Sequence, residues 1–190
     1  MQSRRQEETI YYKRLRMANP EMSRFKDLIL YNLEAGEAVL TDNNDIRVYT
    51  DGKEKFRALI EEMKQAKRYI HMQYYIIRND ELWQEVEKVL IQKAREGVEV
   101  RVLFDSMGCR TMKTVTGSAS KKKEFKLAEF FPALLGQLQL RVNYRNHKKI
   151  VVIDGRVGFV GGFNVGREYL GGIRNSVIGG IPICVSKARR

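Results

Sequence analysis

The sequence has few of the residues that build metal centres or disulfide frameworks. Its two cysteines, Cys109 and Cys184, lie far apart in the chain. That spacing fits neither a Cys-x-x-Cys metal site nor a disulfide scaffold, and it is compatible with a reducing compartment. The sequence has only two histidines, His71 and His147, so a multi-histidine metal centre is not expected. We therefore expect no metal ion and no cofactor.

Long apolar runs are also absent. No stretch approaches the ~20 apolar residues that a helix needs to cross a bilayer. Residues 1–16 are basic and lack the apolar centre of a secretory signal. We expect no transmembrane helix and no secretory signal in this sequence, and we interpret its start as a basic amphipathic segment.

The overall composition is typical of a folded, basic domain. The 190 residues are 43% hydrophobic and 31% charged, which is enough for one domain or slightly more. Lysine and arginine outnumber aspartate and glutamate by 35 to 23, giving a formal charge of +12. This charge favours an anionic partner, whether nucleic acid, a phosphorylated metabolite or an acidic lipid surface, and does not choose between them.

Hydrophobic periodicity divides the chain into three regions. Residues 1–44 predict a basic, partly helical segment, with helix around 21–34. Residues 45–170 alternate strand-like and helix-like patterns, which predicts right-handed βαβ units and an α/β fold with a parallel or mixed sheet. Residues 171–190 show no period and predict an irregular tail. The predicted strands lie at 45–48, 69–77, 98–102, 138–142, 150–153 and 157–160, and the predicted helices at 56–63 and 82–90, with another beginning at Asn164.

The densest chemical signal is HKKIVVIDGRVGFVGGFN, residues 147–164. His147 and Lys149 are two positions apart, which places them on one side of a strand. Asp154 follows in a turn, and Gly161–Gly162 offer backbone N–H groups that an anion can approach closely. The Asn164 amide can donate to a phosphate oxygen. Together these groups suit phosphoryl transfer without a metal.

This stretch resembles the HxKx4Dx6GG motif of the phospholipase D superfamily. The neighbouring strings NNDIRVYTDGKEKF, IHMQYYIIRND, EGVEVRVLFDSMG and GFVGGFNVGREYLG are similar to those of its bacterial cardiolipin synthase family. The resemblance covers about residues 40–113 and 127–171. It implies a mixed sheet flanked by helices, forming the first half of a fold that contains two such motifs.

The resemblance also implies roles for the motif residues. His147 would attack the phosphorus as nucleophile, Lys149 would neutralise phosphate charge, and Asp154 would hold the geometry of the motif. Gly161, Gly162 and Asn164 would bind phosphate oxygens. The implied substrate is phosphatidylglycerol at a membrane surface. The implied location is the bacterial cell membrane, with this chain cytoplasmic or peripheral on its inner face.

The sequence departs from the family in three ways. The N-terminal transmembrane helices and the second motif are absent, and residues 114–126 and 171–190 do not resemble the family. One hypothesis is a disrupted reading frame, because residues 114–126 and 175–190, back-translated with freely chosen codons and read with an offset of two nucleotides, give the family-like strings GYWQRLKEEGIQ and FGYWRDTHLRIEGPA. On that hypothesis the chain is an incomplete and inactive phosphatidyltransferase.

Two other functions stay open at this stage. The first is a homodimeric phosphodiesterase or nuclease that pairs two His147 residues by self-association. The second is a non-enzymatic basic fragment that binds a membrane surface. Nucleic acid is expected as a partner only under the nuclease alternative.

A few residues outside the motif also have two interpretations. Asp105 ends a predicted strand and would either border the site or stabilise a turn. Glu168 would orient a histidine across the site or form a surface ion pair. We expect His71 to be a core or interface residue, and Tyr74 and Tyr75 to pack in the core.

Overall fold

The computed structural model describes residues 20–36, 40, 44–109, 125–130, 145–171 and 183–188. The chain divides into two compact units, Met1–Asn43 and Asn44–Arg190. In the first unit a 3-10 helix at Pro20–Phe25 leads into helix α1 (Lys26–Gly36). The helix predicted around residues 21–34 is therefore confirmed.

The second unit has an α/β architecture, as the periodicity predicts. Its described helices are α2 (Gly52–Lys64) and α3 (Glu81–Arg95), followed late in the unit by a 3-10 turn at Arg167–Tyr169. Its described strands are β1 (Asn44–Tyr49), β2 (Tyr69–Tyr74), β3 (Glu99–Asp105), β4 (Lys126–Phe130), β5 (Ile150–Ile153), β6 (Val157–Val160) and β7 (Ile183–Ala188).

These strands form one mixed sheet in the order β1-β7-β6-β5-β2-β3-β4. Strand β2 is parallel to β3, and β3 is parallel to β4. The other pairs are antiparallel. The parallel part places the carboxyl ends of β2 and β3 at the same edge of the sheet, where a site can form.

Helices α2 and α3 cover one face of the sheet because each has an apolar stripe. Phe56, Leu59 and Met63 of α2 are buried in the same cluster as Ile70 and Met72 of β2.

The side chain of Asp51 caps α2 by accepting from the N–H of Glu54 at 2.9 Å. Asp80 caps α3 in the same way through Trp83, at 3.1 Å. Gly97 follows α3 with φ of 86°, which is typical of the residue after a helix.

The predicted hairpin at residues 150–160 is confirmed. Asp154 and Gly155 have φ values of 56° and 67°, both in the left-handed region. The N–H of Arg156 donates to the carbonyl of Ile153 at 2.9 Å, closing the turn. Two central residues with positive φ are the signature of a type I′ turn, which favours Asp-Gly.

Two expectations about the end of the chain are wrong. The helix predicted from Asn164 does not form, because Val165 pairs with Ile77 as an isolated bridge, and within the described residues 164–171 the helical structure is the short 3-10 turn at Arg167–Tyr169. Residues 171–190 are not irregular throughout, since β7 pairs between β1 and β6. The strand predicted at 138–142 and most of the unusual segment 114–126 lie outside the described residues.

Candidate active site

The carboxyl ends of β2 and β3 meet the segment 145–149, and this junction brings the chemical groups together. Tyr75 follows β2, Asp105 ends β3, and residues 145–149 lead into β5. The side chain of Asp105 accepts from the backbone N–H of Asn146 at 3.3 Å. The motif therefore enters the sheet next to the ends of its two central parallel strands.

Lys149 and His147 contact each other directly. The ammonium nitrogen Nζ of Lys149 lies 2.8 Å from Nδ1 and 3.2 Å from Nε2 of His147. It also donates to the carbonyl oxygen of His147 at 2.8 Å. The roles of the two ring nitrogens depend on the tautomer of His147, so these distances establish that the ammonium group and the imidazole are direct neighbours. The two side chains share one side, as their spacing predicts.

The two residues of this pair differ in solvent exposure. Lys149 is 5% exposed, and its burial lowers the pKa of its amine below the ordinary value. His147 is exposed. The ring of Tyr75 lies 4.7 Å from the imidazole and 5.4 Å from the Lys149 Nζ, measured to ring centroids. A buried cation beside an exposed imidazole can stabilise negative charge that develops on a phosphoryl group at the surface.

Asp105 holds the backbone that precedes this pair. Its side chain is fully buried, and Oδ1 accepts from the backbone N–H of Met107 at 2.9 Å. Oδ1 also lies 3.8 Å from the Arg145 guanidinium. Both interpretations from the sequence are therefore correct in part, since Asp105 stabilises a turn and borders the site.

Gly161 contacts the backbone of Lys149, and both Gly161 and Asn164 are engaged in hydrogen bonds within the protein. The N–H of Gly161 donates to the carbonyl of Lys149 at 3.3 Å. The buried Asn164 accepts from the Ile76 N–H at 3.1 Å and donates to the Tyr169 hydroxyl at 2.8 Å. Their phosphate-binding role, and that of Gly162, stays a prediction. The contacts show instead that Asn164 ties the glycine loop to the chain that follows β2.

Asp154 is not part of the His147–Lys149 cluster, because it lies at the other end of β5. Its carboxylate accepts from the backbone N–H groups of Lys67, Arg68 and Tyr69 at 2.9, 2.8 and 2.9 Å. Burial on its own raises the pKa of this carboxyl, but the three N–H groups and Arg156 outweigh that effect and lower the pKa. Asp154 therefore fixes the hairpin to the start of β2.

Several residues outside the motif differ from expectation or were missed. Tyr74 is buried as expected, and its hydroxyl accepts from the buried Nζ of Lys55 at 2.7 Å. Tyr75 instead faces His147, a contact that the sequence alone does not indicate. Glu168 forms an ion pair with Arg78 at 3.3 Å. His71 lies half-exposed on the sheet and pairs with Glu99.

Other kinds of site are absent from the described residues. The described part of the chain contains no group of three or more His, Cys, Asp or Glu side chains that could hold a metal ion. Within the same part of the chain, every helix is too short or too polar to cross a bilayer.

Comparison with known proteins adds a family match. A family model described as "Cardiolipin synthase, PLD-like domain" matches residues 59–178. The chain is 48% identical over 154 residues to a cardiolipin synthase of Staphylococcus aureus strain Mu50, covering 81% of this chain and 31% of that protein. It is also 48% identical over 146 residues to the major cardiolipin synthase ClsA of Bacillus subtilis strain 168, covering 77% and 30%. The chain thus spans about a third of the length of these curated relatives.

A solved structure shares the fold at much lower identity. NucT from Helicobacter pylori superposes with a TM-score of 0.54 at 15% identity, covering 76% of this chain and 84% of that one. At such low identity the likeness concerns the fold, and it agrees with the mixed sheet flanked by helices described above.

Proposed function

The chain belongs to the cardiolipin synthase, phospholipase D-like domain family, and we propose that it carries one half of an active site for phosphatidyl transfer between two phosphatidylglycerol molecules. The observation that supports this most is the 2.8 Å contact between Lys149 and His147 within the family motif. The contact joins a nucleophile candidate to a buried cation, which is the minimum that covalent catalysis on a phosphodiester requires.

The proposed reaction has two displacement steps. A ring nitrogen of His147 attacks the phosphorus of one phosphatidylglycerol, and the P–O bond to the glycerol headgroup breaks as the P–N bond forms. The departing glycerol oxygen takes a proton from a general acid. A hydroxyl of the second phosphatidylglycerol then attacks the phosphorus, its proton returns to the same group, and His147 is released with cardiolipin as product.

The chain's own residues have distinct parts in this scheme. His147 forms the covalent bond, and the Lys149 ammonium stabilises charge on the phosphoryl oxygens. Asp105 and Tyr75 position this pair through the Asn146 backbone and the imidazole face. Asp154 fixes the hairpin that carries the motif.

The general acid belongs to a second motif in this family, and we propose that this chain needs one supplied to it. The purified chain alone is therefore expected to make no cardiolipin from phosphatidylglycerol. The proposed partner is an anionic phospholipid surface, such as the inner face of a bacterial cell membrane, which the charge of +12 favours.

An activated substrate tests the half-site without the missing acid. Bis(p-nitrophenyl) phosphate releases nitrophenolate, which leaves without protonation, so one motif suffices to form the phosphohistidine. The expected result is a burst of about one nitrophenolate per chain. Short-chain phosphatidylglycerol should slow this burst by competing for the site, whereas a dinucleotide phosphodiester should not.

The other outcomes separate the alternatives. Competition by the dinucleotide and not by the lipid would contradict the lipid substrate and favour the nuclease. A chain that gives no burst, yet is folded and binds anionic vesicles, would favour the non-enzymatic fragment.

A further inference from the structure

The chain that follows β2 carries Tyr75 to the imidazole of His147. His147 is exposed, so burial does not fix the orientation of its ring. The ring of Tyr75 lies against the imidazole with centroids 4.7 Å apart, and the Lys149 Nζ lies 5.4 Å from the centroid of the same tyrosine ring. The position of Tyr75 therefore influences both members of the pair, so the groups that hold Tyr75 also help to set the geometry of the site.

One side of the chain after β2 is held by Cys109, which is fully buried. Its Sγ accepts from the backbone N–H of Ile77 at 3.0 Å and donates to the carbonyl oxygen of Tyr75 at 3.4 Å. Burial raises the pKa of the Cys109 thiol to about 11, so the thiol keeps the proton that it donates to Tyr75 at neutral pH. A single thiol thus holds the residues on both sides of Ile76.

The glycine that precedes Cys109 allows the turn to come close to Tyr75. A Cβ at Gly108 would overlap the carbonyl oxygen of Tyr75 and lie 2.9 Å from its carbonyl carbon, which leaves no room for any other residue. Gly108 and Cys109 belong to the turn at the end of β3. Asp105 closes this turn by accepting from the backbone N–H of Met107 at 2.9 Å. The turn therefore packs its backbone directly on the backbone of Tyr75.

The other side of the chain after β2 is held by the segment that follows the glycine pair. Asn164 accepts from the N–H of Ile76, and the N–H of Val165 donates to the carbonyl of Ile76, both at 3.1 Å. The N–H of Arg78 donates to the carbonyl of Val165 at 2.8 Å. Because the chain is bound on this side as well, a side chain added at Gly108 cannot be accommodated without moving Tyr75 or the turn.

We propose that Gly108 and Cys109 are positioning residues for the phosphoryl-transfer site and that they act through Tyr75. The turn fixes the tyrosine ring, and the ring fixes the exposed imidazole of His147 beside its lysine. Displacement of a reacting group by about 1 Å can cost about 10²-fold in rate, so a turn that acts only through Tyr75 can control the reaction. The effect on rate rests on the proposed function, whereas the placement of the imidazole by Tyr75 does not.

NMR spectra of the histidine rings in the full chain test this placement without any reaction. The chain has only two histidines, so the ring signals are those of His147 and His71, and His71→Gln assigns them. The ring current of Tyr75 should shift the His147 signal, and Tyr75→Leu should remove that shift. Gly108→Ala should move the His147 signal in the same direction as Tyr75→Leu, while the His71 signal serves as the internal reference and stays in place.

A double-mutant cycle on the burst with bis(p-nitrophenyl) phosphate tests the route through Tyr75. Gly108→Ala should slow the burst at least about tenfold in the wild-type chain. In the Tyr75→Leu chain the same substitution should slow it less than about threefold, because the ring through which it acts is gone. Gly158→Ala in β6 is the matched control. A Cβ at Gly158 meets no described atom within 4 Å, so this variant should change the rate less than about threefold.

Two variants of Cys109 test the hydrogen bonds of the thiol and do not depend on whether Gly108→Ala folds. Serine keeps a donor and an acceptor at this position, whereas alanine leaves the buried N–H of Ile77 without its partner. Cys109→Ala should therefore slow the burst and shift the His147 signal, and Cys109→Ser should recover most of both effects. Circular dichroism checks that each variant is folded under the conditions of the assay.

Three results would overturn the proposal. A His147 signal that is unchanged in Tyr75→Leu, or in folded Gly108→Ala, would show that the turn and the tyrosine do not set the imidazole. Equal slowing by Gly108→Ala with and without the Tyr75 ring would show that the turn acts by another route. Equal signals and rates in Cys109→Ala and Cys109→Ser would exclude the hydrogen bonds of the thiol.

Failure of the proposed function would give a different result. A wild-type chain that shows no burst would contradict the proposed chemistry, and the NMR comparison of Gly108→Ala with Tyr75→Leu would still decide whether the turn places the imidazole.

Discussion

Nζ of Lys149 binds both the ring and the backbone carbonyl of His147, each at 2.8 Å. One buried ammonium group therefore restrains the orientation of an exposed imidazole. His147 and Lys149 lie two residues apart just before β5. Asp105 accepts from the backbone N–H of Asn146 and so fixes the backbone that precedes His147. The proposed chemistry depends on this arrangement.

Replacing Lys149 by methionine removes the cation and keeps most of the buried volume. We expect the burst rate with bis(p-nitrophenyl) phosphate to fall about 10²-fold, because charge on the phosphoryl oxygens loses its nearest counter-charge. The control is Lys148→Met, which removes the exposed neighbouring cation and should change the rate less than about threefold. Equal effects of the two variants would contradict the role of Lys149.

The burst rate should also depend on the charge of Lys149. Because burial lowers its pKa below the ordinary 10.5, the ammonium is lost at a lower pH than in an exposed lysine. The rate should therefore fall on the alkaline side before that value is reached, and this fall should be missing in Lys149→Arg, whose guanidinium stays charged. A rate–pH profile of both proteins measures this, and identical alkaline limbs would count against the idea.

Asp105→Asn tests the positioning of the segment that leads to His147. The amide cannot pair with Arg145 as a carboxylate does, so the Asn146 backbone should shift and the burst rate should fall roughly tenfold or more. Exposed Asp45→Asn is the matched control. A burst rate unchanged in Asp105→Asn, with chemical shifts of Asn146 and His147 unmoved, would assign Asp105 a role in the turn only.

Asp154→Asn should lower the free energy of unfolding by ~1–3 kcal/mol, because the backbone N–H groups of Lys67, Arg68 and Tyr69 lose a charged acceptor. Asparagine tolerates the positive φ at this position, so the variant isolates the charge. The folded-state pKa of Asp154 is lowered, so its contribution is complete above the pKa of the unfolded chain and disappears as pH falls through the folded value.

Urea denaturation at neutral and acidic pH measures both effects for Asp154. The difference between wild type and Asp154→Asn should shrink on acidification. Asp51→Asn is the control, because asparagine caps a helix about as well as aspartate. A difference that stays constant down to low pH would contradict the role of the charge.

The buried contact between Lys55 and Tyr74 should contribute to the stability of the fold. Tyr74→Phe removes the hydroxyl that contacts the Lys55 amine at 2.7 Å and should cost ~1–3 kcal/mol of unfolding free energy. The double variant Lys55→Met with Tyr74→Phe should recover most of that loss, since an apolar pair replaces a buried polar one. A double-mutant cycle by urea denaturation measures the coupling, and additive losses would contradict it.

The free energy of unfolding should also depend on pH because the Lys55 amine is buried. Burial lowers its pKa in the folded chain, so between that value and the unfolded value the unfolded chain binds more protons. The contribution of Lys55 to the free energy of unfolding therefore rises with pH between its folded-state pKa and its unfolded-state pKa. The rise should be absent in the double variant.

The local elements could be predicted because their signals are local. The apolar spacing of Phe56, Leu59 and Met63 predicts α2, and Asp154-Gly155 predicts the hairpin turn. The motif predicts that His147 and Lys149 share one side because both lie within a few residues. These features need no knowledge of distant parts of the chain.

The features that were missed depend on pairing between distant segments. Strand β7 is set by its neighbours β1 and β6, and its short sequence has no distinct period. The helix predicted from Asn164 is replaced by contacts of Asn164 with Ile76 and of Val165 with Ile77. The contact of Tyr75 with His147 likewise joins residues far apart in sequence, and a strand pattern cannot indicate it.

The measurement that tests the central claim most directly is the position of the covalent adduct formed during the burst. Mass spectrometry of the chain after reaction with bis(p-nitrophenyl) phosphate should show one p-nitrophenyl phosphoryl group on His147. It should show none in a folded His147→Asn variant. A label on another residue, or an equal label in His147→Asn, would contradict the account of this site.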